Sequence, residues 1–178
     1  MAKVYLLGKT VPTDGSKDME KLAVIAGRSD YYQDSFFNFS KDLDKKDSAL
    51  TIETIKKYKT SLYHEILKFV NFTFGISDLS EKSIKKIKLM AKNNIINKDE
   101  MLVTFNAEEL NCFFRLACCF KLGPEVNDVA DQMLEICLSE TPNLFKEAGA
   151  PCTFEECDKG ISCGKKRQVK IKQIIKTY

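Results

Sequence analysis

The sequence predicts an α+β domain, and three observations carry that reading. Val70, Phe72, Phe74 and Ile76 alternate with Asn71, Thr73, Gly75 and Ser77, the period-two pattern of a strand with one buried face. Leu110, Phe113, Phe114, Ala117 and Cys118 recur at helical spacing, as do Val126, Val129, Ala130, Met133, Ile136 and Cys137. The chain has 178 residues, 44% hydrophobic and 30% charged, which suffices for one sizeable core.

Residues 4–7 read as a short strand, and residues 19–27 as a helix with Leu22, Ala23, Ile25 and Ala26 supplying apolar positions. Gly27 to Tyr32 then leads into a polar stretch through Asp47, read as loop with some helix. Over residues 48–68, Leu50, Ile52, Ile55, Tyr58, Leu62, Ile66 and Leu67 fall at mainly helical intervals, so an amphipathic helix packed on the sheet is expected, with Ser48 as its cap. Residues 80–94 are lysine-rich and read as a helix whose apolar face holds Ile84, Ile87, Leu89 and Ala91. A strand over residues 101–105 follows. Asn106 caps the next helix, with Glu109 three positions on to return the bond. Gly123-Pro124 ends that helix and opens another that runs to about Leu138, since proline has no N–H to donate yet suits a first turn.

Composition narrows the function classes. No apolar run of 18 residues occurs, so no membrane span is expected. The opening apolar run is too short for a signal-peptide core, which makes a cytoplasmic location the expectation. Seven cysteines cannot all pair, and Cys112, Cys118, Cys119 and Cys137 sit in apolar helical patterns, so reduced thiols are expected. The sequons at Asn38 and Asn71 then carry no meaning. The net charge is +3, and the tail holds Lys165, Lys166, Arg167, Lys170, Lys172 and Lys176 without an acidic residue, which leaves the body net negative. The chain divides into one domain over residues 1–164 and a basic tail over 165–178. The tail reads as a solvated end, and nucleic acid is not the expected partner.

Several chemistries are excluded by motif. His64 is the only histidine, and His64-Glu65-Ile66-Leu67-Lys68 has lysine where a zincin needs its second ligand. Neither a Gly-x-Gly-x-x-Gly turn nor a Walker sequence occurs. The cysteines at 152, 157 and 163 contain no Cys-x-x-Cys pair and offer three ligands where structural zinc needs four, so no metal site is expected.

Two segments carry a family resemblance. Val70-Asn71-Phe72-Thr73-Phe74-Gly75-Ile76 and the run from Phe105 to Leu116, continuing to the segment Phe145-Lys146-Glu147-Ala148-Gly149-Ala150-Pro151-Cys152, resemble the scaffold of the flavin-dependent thymidylate synthases. Residues 2–32, 60–80 and 102–164 match. The resemblance implies a sheet flanked by helices, and a site shared between subunits of a homotetramer. There FAD, NADPH, methylenetetrahydrofolate and deoxyuridine monophosphate meet. By the same resemblance the flavin-side residues are His64, Asn106, Leu116 and Lys121. His64 otherwise reads as a helix-end histidine without a ligand, and its spacing to Phe72 is one residue short of the family's.

The chain departs from the family where the chemistry sits. The signature Arg-His-Arg-x-x-Ser, expected soon after the Phe-Thr-Phe strand, is absent, so the fold is truncated in its active-site segment. In the second motif, Asn106, Glu109, Leu110, Phe113 and Leu116 fit, whereas Glu108 and Ala117 stand where arginines belong and Cys112 where asparagine or histidine is usual. Loss of a single preorganised donor costs on the order of 100-fold to 1000-fold in rate. Lys82, Lys85, Lys86, Lys88 and Lys92 lie near the missing signature and read either as phosphate-holding point charges or as a solvated helix face. Three function readings stay open: an inactive paralogue that keeps fold and self-association, an active synthase with a remodelled site, and a nucleic-acid or partner-binding module. Whether the chain is an enzyme stays open with them. Self-association is expected to cover Phe72, Phe74, Phe113 and Phe114 in part.

Overall fold

The computed structural model describes residues 1–12, 18–32, 55, 64–119 and 122–145. Strand β1 (Lys3–Lys9) leads to helix α1 (Glu20–Tyr32), and a 3-10 turn over His64–Phe69 feeds β2 (Asn71–Ser77). Helix α2 (Glu81–Lys88), the hairpin β3 (Asn93–Asn97) and β4 (Glu100–Asn106), and helices α3 (Ala107–Cys119), α4 (Pro124–Glu140) and α5 (Pro142–Phe145) complete the chain order. The strands form one sheet in the order β1-β2-β4-β3, antiparallel at every pairing. This is an α+β arrangement, as the alternating strand pattern predicts.

Alternation in β2 decides which face is packed. Phe72, Phe74 and Ile76 are buried, and across β4 so are Met101, Val103 and Phe105. Onto this face α3 brings Leu110, Phe113, Phe114 and Ala117, and α4 brings Val126, Val129, Ala130, Met133 and Cys137. The rings form a continuous chain across the core. Phe74 stacks on Phe72 at 6.1 Å, Phe72 meets Phe145 edge-on at 5.8 Å, and Phe145 meets Phe114 at 6.0 Å. Phe113 joins Phe114 at 6.1 Å and stacks on Phe105 at 5.5 Å. Edge-on and offset contacts suit the ring quadrupole, and each adds about 0.5–1.5 kcal/mol beyond burial.

Helix α4 also guards the β1 edge. The Gln132 side chain accepts from the Val4 backbone N–H at 3.1 Å and donates to the Ala2 carbonyl at 2.9 Å, imitating a neighbouring strand. A Lys9–Glu140 ion pair ties the far end of the strand to the same helix.

The structure corrects several expectations. Helix α1 continues through Gly27 to Tyr32, because one glycine costs only about 1 kcal/mol in a helix. Of the helix expected over 48–68, Ile55 is helical and fully buried, while His64–Phe69 is a 3-10 turn; the remainder lies outside the described residues. The lysine-rich helix stops at Lys88, and Asn93–Asn97 is a strand. Asparagine is poor in strands, yet a short turn through Lys98 and Asp99 brings Ile95 opposite Leu102 and Ile96 opposite Met101, so pairing overrides propensity. Leu89 is 88% exposed rather than inward. The N–H groups of Met90 and Ala91 both bond the Ile87 carbonyl at 3.0 Å, and this tight exit swings Leu89 out and Ala91 in. Cys112 is exposed, whereas Cys137 is buried and behaves as a core residue. Phe72, Phe74, Phe113 and Phe114 are buried within the single chain and leave no ring surface for a second subunit.

Candidate functional site

The matched segments meet at one end of the sheet, where β2 begins, β4 ends and α3 departs. Asn71 pairs with Asn106, and the Ala107 N–H donates to the Val70 carbonyl at 2.8 Å. Thr10 closes the corner: its N–H donates to the Asn71 carbonyl at 3.0 Å and its hydroxyl accepts from the Asn71 N–H at 3.1 Å. Asn106 starts α3 by the expected reciprocal cap. Its Oδ1 accepts from the Glu109 N–H at 2.8 Å, and a Glu109 carboxylate oxygen accepts from the Asn106 N–H at 3.1 Å. Lys92 reaches the same carboxylate group at 3.6 Å.

Two faces of α3 differ sharply. Leu110, Phe113, Phe114 and Ala117 are buried, so Ala117 is part of the core. Glu108, Asn111, Cys112 and Arg115 follow at spacings of three and four on the outward side, with Cys112 and Arg115 exposed and the other two half-buried. Arg115 went unremarked in the sequence reading, because it lies between motif positions; its three-residue spacing from Cys112 was the available signal.

The expected site residues are only partly assembled. Asn106 is at the corner, its Oδ1 committed to the cap while its Nδ2 has no bond among the described residues. Leu116 is half-buried near the other end of the helix. His64 opens the 3-10 turn that packs against α3 and α1, and its side chain lies outside the described residues, as does all of Lys121. Of the lysines, Lys92 alone is shown at this corner. Lys85 pairs with Glu81 at 2.6 Å, holding the Glu81 carboxyl below its usual range, and Lys86 donates to the Leu122 carbonyl. Lys82 and Lys88 are exposed on α2.

The donor set does not make a phosphate cradle among the described residues. Glu108 and Glu109 lie in the first turn of α3, where a helix N-terminus would otherwise favour an anion. The N-terminus of α2, at the opposite end of the sheet, is filled from within: the Glu125 carboxylate accepts from the Ser80 N–H at 3.3 Å and from the Ser80 hydroxyl, which holds Glu125 below its usual carboxylate range. A FAD pyrophosphate or a nucleotide phosphate therefore finds no cationic socket in the described part of this corner. No group of ligating side chains suited to a metal occurs among the described residues, and Cys152, Cys157 and Cys163 lie outside them. No described helix is long and apolar enough to cross a membrane.

Comparison with known proteins gives the scaffold its relatives. The chain is 28% identical over 135 residues to the flavin-dependent thymidylate synthase of Clostridium tetani, a match that spans 72% of this chain and 53% of that protein. It is 38% identical over 72 residues to the enzyme of the same name from Geobacter sulfurreducens, covering 40% of this chain and 31% of the relative. A third, from Nitratidesulfovibrio vulgaris, is 38% identical over 69 residues. Over these stretches the chain is similar to flavin-dependent thymidylate synthases. It spans about half the length of the first relative and about a third of the second. No protein-family profile matches it. The relatives' name carries a flavin.

Proposed function

We propose that this chain is a non-catalytic paralogue within the flavin-dependent thymidylate synthase family, keeping the fold and self-association but not thymidylate synthesis. The carrying observation is the environment of two positions the resemblance assigns to arginines. Ala117 is fully buried in a core cluster with Leu110, Phe113 and Phe114, whose side chains offer a guanidinium no counter-ion, and Glu108 puts a carboxylate on the outward side of the helix. Charge reversal at a phosphate position turns attraction into repulsion. FAD or deoxyuridine monophosphate binding survives in this reading only weakly, through Asn106, Leu116 and, outside the described residues, His64 and Lys121. NADPH then has no role. Titration calorimetry with deoxyuridine monophosphate tests it: affinity weaker than about 1 mM is expected, and micromolar binding would remove the basis of the proposal.

One observation favours a second reading, an active synthase with a remodelled site. Arg115 is exposed on the same stripe as Glu108 and Cys112, and offers a bidentate fork to an anion. If that reading holds, the protein purifies yellow with bound flavin and Arg115→Ala abolishes turnover. A colourless protein that retains oligonucleotide through residues 165–178 would instead favour the nucleic-acid module.

A further inference from the structure

The two edges of the sheet are treated differently. The β1 edge is covered, since Gln132 of α4 bonds the Val4 N–H and the Ala2 carbonyl. Among the described residues β3 has β4 as its one partner strand, and no residue of β3 is buried. The bond from the Ala107 N–H to the Val70 carbonyl sets the alternation of the ladders: Met101, Val103 and Phe105 turn their backbone groups to β2, and Glu100, Leu102 and Thr104 turn theirs to β3. Asn93, Ile95 and Asn97 exchange those bonds, so the backbone N–H and C=O of Asn94 and Ile96 point out from the sheet. The usual devices that blunt an edge are missing from this strand, which holds no charge and no proline and keeps an unbroken register on β4. Apolar side chains flank it on both faces. On the outer face the pairings align Tyr5 with Gly75, Gly75 with Leu102, and Leu102 with Ile95, and this apolar row ends at Ile95, 66% exposed. On the face turned to the helices Ile96 lies opposite buried Met101 and is 38% exposed.

We propose that the β3 edge is a docking site for a fifth strand, and that its occupant is the segment around residues 173–176 of this same chain, which lies outside the described residues. Gln173-Ile174-Ile175-Lys176 repeats the polar-Ile-Ile-polar order of Asn94-Ile95-Ile96-Asn97. In either strand direction one isoleucine falls beside Ile95 on the outer face and the other beside Ile96 on the inner face, while Gln173 and Lys176 meet Asn94 and Asn97. An isoleucine doublet suits an edge that is apolar on both faces, where a strand with one wet face would leave half of it in water. Just before it, Val169 and Ile171 alternate with Lys170 and Lys172, and β-branched residues favour strands. Reach sets no limit. Phe145 packs on Phe72 of β2, two strands from β3, a gap of about 10 Å at ordinary strand spacing. The intervening residues 146–172 can span roughly 90 Å when extended. Tethering selects this occupant over a separate peptide or another copy, because a linked strand is held at roughly millimolar effective concentration. Docking it satisfies the outward backbone groups of Asn94 and Ile96.

Residue-resolved amide hydrogen exchange on the full chain, read by NMR, tests the proposal without reference to flavin or turnover. In the wild type the Ile96 amide, which β4 does not bond, is expected to exchange about tenfold or more slower than its unprotected rate. Ile174→Pro removes a donor and blocks strand pairing, so the Ile96 amide should return to the unprotected rate. Ile174→Val keeps a β-branched side chain and should keep the protection. The Val103 amide, bonded to β2, should stay protected in all three proteins and so reports that the body is folded. An Ile96 amide that is unprotected in the wild type overturns the proposal. Protection that survives Ile174→Pro, or that grows with protein concentration, assigns the edge to another occupant and overturns it as well.

Discussion

The two sides of α3 behave as different kinds of sequence. Its inward side, Leu110, Phe113, Phe114 and Ala117, is buried to within 1% and locked into the ring chain that joins β2, α5 and β4. Its outward side, Glu108, Asn111, Cys112 and Arg115, has no such constraint: Asn111 spends its amide on the Ala107 carbonyl of its own helix at 3.0 Å. The reciprocal cap and the core side specify a helix at a given place rather than a chemistry. A fold can persist on one side while the other drifts, because packing density punishes change inward and solvent forgives it outward.

The sharpest way to break that contrast is to place at Ala117 the arginine that the resemblance implies there. Ala117→Arg puts an unpaired cation in the core and is expected to cost at least about 3 kcal/mol. Phe113→Ala, which removes a ring packed against two others, is expected to cost about 3–5 kcal/mol. Urea unfolding followed by circular dichroism reads both, and an Ala117→Arg protein as stable as the wild type would mean that this position faces solvent. Asn106→Ala breaks one half of the cap and should lose about 1 kcal/mol, in the same assay.

Glu20 offers a pH-dependent version of the same contrast. Its carboxylate is buried and accepts from the Asn143 N–H and side-chain amide, both at 2.7 Å. Burial pushes its pKa up, and the Asn143 bonds only partly offset this. Because the folded value lies above the unfolded one, the cost of burying the charge is fully present above the folded pKa and is relieved as pH falls towards the ordinary carboxylate range. The stability of Glu20→Gln relative to wild type should therefore rise with pH across that window and then level off; a flat difference would show that Glu20 is not desolvated. The smallest effects belong outward. Cys112→Ala and Arg115→Ala should each stay within about 0.5 kcal/mol of wild type. Thiol labelling of the native protein should modify Cys112 and spare Cys137, whose burial raises its pKa well above the ordinary thiol value.

What was legible in the sequence followed periodicity. β2, β4, the Asn106–Glu109 cap and α4 could be read because Phe72, Phe74, Phe105, Phe113 and Met133 mark strict two-residue or helical repeats. β3 could not, since Asn93-Asn94-Ile95-Ile96-Asn97 has neither alternation nor propensity and becomes a strand only by pairing with β4. The direction of Leu89 depended on how α2 ends, a matter of two hydrogen bonds to one carbonyl. Of the site, Asn106 was legible by its capping pattern and Arg115 was not. The apolar row on the outer face was hidden as well, because Tyr5, Gly75, Leu102 and Ile95 come from four separate strands and only the sheet register aligns them.

The most direct test is turnover by the full chain supplied with FAD, NADPH, methylenetetrahydrofolate and deoxyuridine monophosphate, with thymidylate detected by mass spectrometry. Under the proposal that Glu108 and Ala117 stand where the synthases carry arginines, the protein should form no thymidylate above the enzyme-free control. Turnover on the order of 1–10 per second, ordinary for an enzyme, would contradict that account.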